Sequence, residues 1–146
     1  MKEKKFKDLK EYGDLTNTIY QKDLNIYIEK LDSLEGCPKQ VKGSFDCQKN
    51  NLKSLKYMPL KISSDFVCSN NNLESLEYMP KEIDGHFYCG SNKLTTLKGC
   101  TKKVNGNFNC YFNEIINLEN SPKVKGEYEC SYNKLTSLKG IQKVLN

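Results

Sequence analysis

The sequence predicts a repeat solenoid in which parallel β-strands stack and irregular return loops join them, with a short helical cap at the N-terminus. Two observations carry this reading. Cys47, Cys68, Cys89, Cys110 and Cys130 recur at intervals of 21, 21, 21 and 20 residues, and a fixed period of this size is the mark of stacked repeats. Around each of these cysteines the same neighbours return at the same offsets. Residues 1–20 are assigned to an N-terminal cap segment and residues 21–146 to a solenoid of about six turns.

In chain order, Lys2 to Tyr12 fit a short helix with Phe6 and Leu9 on one face and Gly13 ending it. A terminal turn needs its apolar edge covered, so the segment reads as a cap. Leu24, Ile26, Leu31 and Leu34 form a degenerate first copy, with Ile26 where later copies have Cys and Glu29 where they have Asn. Five close copies follow. Two residues before each Cys stands an aromatic (Phe45, Phe66, Phe87, Phe108, Tyr128). Four before stands Gly43, Ser64, Gly85, Gly106 or Gly126, and six before stands Val41, Ile62, Ile83, Val104 or Val124. This β-branched–x–Gly–x–aromatic–x–Cys run has period 2, which predicts a strand with one buried face.

Three residues after each Cys comes Asn50, Asn71, Asn92, Asn113 or Asn133. A recurring amide at a bend can satisfy backbone groups there, and stacked copies can bond one another. Leu or Ile five residues after the Cys and Leu eight after fill the column from the return side. Pro38, Pro59, Pro80 and Pro122 punctuate the turns, with Thr101 as the exception. Residues 140–144 form a truncated last copy.

The pattern resembles the leucine-rich repeat, whose core reads Leu-x-Leu-x-x-Asn-x-Leu. The matches are Phe66-x-Cys68-x-x-Asn71-x-Leu73 and Phe87-x-Cys89-x-x-Asn92-x-Leu94, and the likeness covers roughly residues 24 to 138. One departure is clear. The apolar residue that precedes the core lies four positions before Phe rather than three, with Gly between, which predicts a longer strand or a bulge at the glycine. The fuller wording Gly-x-Phe-x-Cys-x-x-Asn-x-Leu-x-x-Leu is similar to repeats of small phage and bacterial proteins. That resemblance implies a binding module, such as an inhibitor that occludes a host or defence protein in the cytoplasm of a bacterial cell or phage-infected host.

Composition narrows the function classes. The net charge of +5 and pI near 8.7 fall short of the basicity that argues for nucleic acid by itself. The N-terminal residues lack the apolar run of a signal peptide, and no stretch has the length of a membrane span. The expectation is a soluble cytoplasmic protein with reduced thiols. All 23 positive charges are lysines, and His86 is the single histidine. No Gly-rich phosphate loop and no GxSxG or HExxH motif occurs. The cysteines form no CxxC pair and sit at equivalent positions of successive turns, where Cys acts as a small buried apolar filler. The sequence therefore points to no enzyme, no metal site and no cofactor.

What remains is surface. If the aromatic and Cys of each strand point inward, the residues between them point outward. The candidate partner-binding set on that face is Tyr27, Asp46, Asp65, Val67, His86, Tyr88, Tyr111, Phe112, Glu127, Glu129 and Tyr132. Aromatics on a rigid face suit recognition of a protein. A second candidate is a basic ridge of Lys39, Lys61, Lys81, Lys102, Lys103, Lys123 and Lys143, each close after the Pro position, which could follow a phosphate backbone. A third is self-association through the C-terminal edge strand, around Tyr128 to Ser131.

Overall fold

The computed structural model describes residues 13–26 and 30–142. The expected cap helix at Lys2 to Tyr12 lies outside these residues, as do Tyr27, Glu29 and Lys143. Among the described residues the chain forms a β-solenoid built of two-residue strands, with no helix. In chain order these are β1 (Ile19–Tyr20), β2 (Leu24–Asn25), β3 (Gln40–Val41), β4 (Phe45–Asp46), β5 (Lys61–Ile62), β6 (Phe66–Val67), β7 (Glu82–Ile83), β8 (Phe87–Tyr88), β9 (Lys103–Val104), β10 (Phe108–Asn109), β11 (Lys123–Val124) and β12 (Tyr128–Glu129).

The even-numbered strands form one continuous six-stranded parallel sheet, called the front sheet below. Its six rungs define about five turns of the solenoid. Phe45, Phe66, Phe87, Phe108 and Tyr128 align in register, so a period of 21 residues brings like residue over like. Backbone bonds repeat at every step, for example Cys47 N to Val67 O at 2.8 Å and Cys89 N to Asn109 O at 2.9 Å.

Of the longer strand and the irregularity at the glycine that the sequence allowed, the structure shows the latter, as a break there. Each copy bends after its β-branched residue, at 42–43, 63–64, 84–85, 105–106 and 125–126. The Val or Ile then belongs to a second ladder. That ladder is itself in two pieces, β1-β3-β5 and β7-β9-β11. Leu60 N donates to Lys39 O at 3.0 Å and Lys102 N to Lys81 O at 2.8 Å, but no equivalent bond joins Lys81 to Leu60 among the described residues. A groove of about 470 Å³, lined by Leu60, Ile62, Met79 and Pro80 among others, lies where the ladder parts. The strand Ile19–Tyr20, within the segment the sequence assigns to the cap, already pairs with Gln40–Val41 as part of the stack.

The core is a narrow column. Phe45, Phe66, Phe87 and Phe108 are fully buried, as are Cys47, Cys68, Cys89 and Cys110. The Phe rings stack turn on turn with centroids 5.4–5.7 Å apart, until Phe108 meets Tyr128 edge-on at 5.0 Å. Aromatic contacts of this kind add about 0.5–1.5 kcal/mol each beyond burial. The Leu pairs Leu52 and Leu55, Leu73 and Leu76, and Leu94 and Leu97 close the column from the return side. The first turn is as well covered as the interior, with Leu31 and Leu34 at most 1% exposed, whereas Leu138 in the last is 61% exposed.

The Asn ladder cross-links the turns. Asn71 Nδ2 donates to Cys47 O of the preceding turn at 2.9 Å and to Cys68 O of its own turn at 3.1 Å. Its Oδ1 accepts from Leu52 N at 3.0 Å. Asn50, Asn92, Asn113 and Asn133 repeat the arrangement. Each amide bonds the backbone of its neighbour turn. The amide-to-amide bonding between stacked copies that the sequence suggested is not seen among the described residues.

A second polar column lies on the front face, one residue before each aromatic. Asp23 Oδ1 accepts from Ser44 N, and Asp65 Oδ1 from His86 N, both at 2.7 Å. His86 Nδ1 accepts from Asn107 N at 2.9 Å, and Asn107 Oδ1 from Glu127 N at 3.0 Å. These reaching side chains explain the glycines. A methyl group at Gly43, Gly85, Gly106 or Gly126 would collide with Asp23, Asp65, His86 or Asn107 respectively. The copy with Ser64 in place of Gly stacks on Ser44, the shortest side chain of the described column.

Candidate protein-binding face

Side chains between the buried aromatic and Cys do point outward. Asp46, Val67, Tyr88 and Asn109 are half-buried along the sheet, and Glu129 at its end is exposed. The alternation of the strand and the bend after Cys position everything that follows.

The aromatic residues of the face are brought together at its C-terminal half. Tyr111 lies across Gly90, where any Cβ would strike its ring. Phe112 meets Tyr111 edge-on with centroids 6.2 Å apart and lies 5.4 Å from Tyr132. Tyr88 stacks on His86 at 5.7 Å. Phe112 is 58% and Tyr132 74% exposed. Both have positive φ, 55° and 53°, as do Lys49, Asn70 and Ser91 at the same position of other turns. The left-handed conformation costs an L-residue roughly 1–2 kcal/mol, and bulky side chains are rare in it. Two adjacent turns thus hold large apolar rings on a strained backbone at the solvent side of a rigid sheet.

The carboxylates of the candidate set are partly committed to the fold. Asp46 Oδ1 accepts from Gln48 N at 3.0 Å, and Glu129 Oε1 from Ser131 N at 2.8 Å. The bond from Ser131 holds the Glu129 carboxyl below its ordinary pKa. Asp65 and His86 serve the column described above. These residues shape the charge of the face while bonding within it, and Tyr88, Tyr111, Phe112 and Tyr132 supply its apolar contact area. Asp23 is a carboxylate of this surface that sequence reading left out. It occupies the same column as Ser44 and Asp65, and extending the alignment back by one copy identifies it.

The lysine ridge takes a different form from the one expected. Lys61 pairs with Gln40 in one piece of the second ladder, and Glu82, Lys103 and Lys123 stand in register in the other. Lys39, Lys81 and Lys102 fall one residue earlier, in the column that holds Leu60. Lys103 Nζ lies 3.6 Å from Glu82. The cations therefore run in two staggered lines interrupted by an acid, because Lys61, Lys103 and Lys123 stand seven residues before the Cys of their turn and Lys39, Lys81 and Lys102 eight before it.

The return edge carries a feature the sequence reading missed. Gly36, Tyr57, Tyr78, Gly99, Asn120 and Gly140 occupy one recurring position with φ between 64° and 96°. Gly and Asn suit it, while Tyr57 and Tyr78 do not, and both are half exposed. Lys56 Nζ sits 4.9 Å above the Tyr57 ring. Tyr57, Met58 and Leu60 line one wall of a groove of about 390 Å³ with Gly36, Pro38 and Lys39. An aromatic standing where other copies have Gly or Asn was the available signal.

The thiols have the character of a packed core. Burial raises the pKa of Cys37 and of Cys100 to about 12, and pushes Cys47, Cys68 and Cys89 well above the ordinary range. Cys130 is less covered and is also raised by its burial. Among the described residues no cluster of His, Cys, Asp and Glu has the geometry of a metal site, and no helix is long and apolar enough to cross a membrane. No protein-family model matches the chain, nor does any curated protein or solved structure.

Proposed function

We propose that this chain is a non-enzymatic protein-binding module that uses the front sheet as its docking surface. The observation that carries the reading is the joined patch of half-buried Tyr111 with exposed Phe112 and Tyr132, on a sheet whose turns are tied by backbone hydrogen bonds such as Phe112 N to Ser131 O. Rigid aromatic side chains bury much area on contact and lose little conformational freedom. A partner would meet a surface already in its bound shape, which lowers the cost of association. With such a surface, the module acts by occupying its partner, in the manner of an inhibitor or a scaffold.

The test uses the full chain immobilised and exposed to extract from its native cell. Retained proteins are identified and then measured singly. Phe112→Ala with Tyr132→Ala should weaken the specific complex by about thirtyfold, as expected when an interface loses central aromatic anchors. Both residues are exposed, so stability should move by no more than about 0.5 kcal/mol. Full retention of binding by this double variant would sink the reading. So would loss of binding in Lys39→Ser, Lys61→Ser and Lys81→Ser variants with a steep salt dependence, which would instead favour nucleic acid at the lysine edge.

A further inference from the structure

The charges of this protein are sorted by face. The chain as a whole carries 23 basic and 18 acidic residues. Yet among the described residues the front sheet and the bend after it hold Asp23, Asp46, Asp65, Glu127 and Glu129 against a single lysine, Lys49. The exposed aromatic patch lies at the end where Glu127 and Glu129 stand. Both carboxylates are solvent-exposed. The Glu127 side chain has no hydrogen-bond or ion-pair partner among the described residues, while Glu129 spends one oxygen on Ser131 N.

We infer that the patch formed by Phe112, Tyr132, Glu127 and Glu129 receives cationic side chains from an extended, arginine- or lysine-rich segment of a partner protein. The inference rests on the front-face reading above and specifies its ligand chemistry. Aromatic faces attract a guanidinium or ammonium through their quadrupole, and a planar guanidinium can also stack on a ring and bond a carboxylate with paired donors. Phe112 and Tyr132 present two such rings, tilted by 33° with centroids 5.4 Å apart. The basic majority of the protein does not oppose this docking at physiological salt. Its lysines belong mostly to the return side and edges, and exposed charges more than about 8 Å away are largely screened. A second copy of this chain fits the patch poorly front to front, since its own front face carries the same acidic sign.

The experiment titrates the isotope-labelled full chain, followed by NMR, with a nine-residue peptide of alternating arginine and serine and with its glutamate–serine counterpart. The arginine peptide should shift resonances of Tyr111, Phe112, Glu127, Glu129 and Tyr132, and the glutamate peptide should leave them in place. Glu127→Gln combined with Glu129→Gln should weaken binding by about fivefold, and Phe112→Ala alone by about threefold. Lys39→Ser should leave the affinity unchanged. Each altered side chain is exposed, and the amide spectrum of each variant reports directly on its fold. Absence of front-face shifts at millimolar arginine peptide overturns the inference, as does full affinity in the doubly neutralised variant. If the glutamate peptide moves the same residues equally, the cationic ligand class falls while the front face survives as a binding surface. Shifts confined to the return edge around Tyr57 and Leu60 would overturn both.

Discussion

Replacing Asn71 by alanine removes one buried amide and breaks bonds in two turns at once. The side chain is 8% exposed, and it joins Leu52 N, Cys47 O and Cys68 O. Its loss leaves one buried N–H without an acceptor, at about 1–3 kcal/mol, and strips a hydrogen bond from each of two carbonyls, at about 0.5–1.5 kcal/mol apiece. The sum is roughly 2–6 kcal/mol, a large share of the ~5–15 kcal/mol that stabilises a typical domain. At about 2–4 °C per kcal/mol for a chain of this length, the melting temperature should fall by roughly 4–24 °C. Asn133 makes the equivalent bonds in the last rung but is only partly buried, so water can replace it. Asn133→Ala should cost about 1 kcal/mol. Thermal unfolding followed by circular dichroism, with hydrogen exchange of the Leu52 amide, measures both. Equal losses for the two variants, or a loss at Asn71 below about 1 kcal/mol, would refute the claim that turn-to-turn amide bonds hold the stack.

Four further outcomes are expected. Gly85→Ser should destabilise the fold by several kcal/mol because Asp65 reaches that site. Adding Asp65→Ser, which recreates the Ser44 and Ser64 pair found in the preceding turn, should recover part of the loss in a double-mutant cycle, and strict additivity would contradict the coupling. In alkylation at pH 8, Cys130 should react first, while Cys47, Cys68 and Cys89 stay protected until unfolding, because burial raises their pKa and lowers the thiolate fraction; mass spectrometry of partly labelled protein decides. Tyr128→Phe should leave stability within about 1 kcal/mol of the parent, since the buried Tyr128 hydroxyl meets no polar side chain in good hydrogen-bond geometry beyond its interaction with Ser121, and a loss of several kcal/mol would show a fully bonded hydroxyl. Glu114 should titrate below 4.5, held down by the hydrogen bond and charge of Lys134, and Glu129 below 4.5 through Ser131. Each lowered pKa favours the fold above the unfolded-chain value, and that contribution disappears as pH falls through the folded one. High salt should return Glu114, but not Glu129, toward 4.5, and carboxyl NMR titration distinguishes them.

Much of the solenoid was legible in the sequence because the repeat is nearly perfect over Val41 to Leu138. An alternation of period 2 fixes which side chains face inward, so Phe66 and Cys68 are core and Val67 is not, whatever the rest of the chain does. The Asn positions were equally readable as bend residues. Tyr88 and Tyr111 follow from the same parity, whereas Phe112 and Tyr132 share the parity of the inward Cys and face out where the chain turns left-handed, and the structure adds that Phe112 contacts both Tyr111 and Tyr132.

By itself, then, the sequence determined the repeat length, the parity of each strand and the composition of the column, since these depend only on neighbours along the chain. The tertiary structure alone decided how one turn sits on the next. It split the expected strand at the glycine bend and parted the second ladder between Lys61–Ile62 and Glu82–Ile83. It also committed Asp65 and His86 to backbone amides one turn away and lifted Phe112 and Tyr132 outward on left-handed backbone. The physical reason is that lateral register depends on the path of each return loop and on side chains about twenty residues apart. Hydrogen bonds and close contacts between turns select that register, and no local period along the chain encodes it.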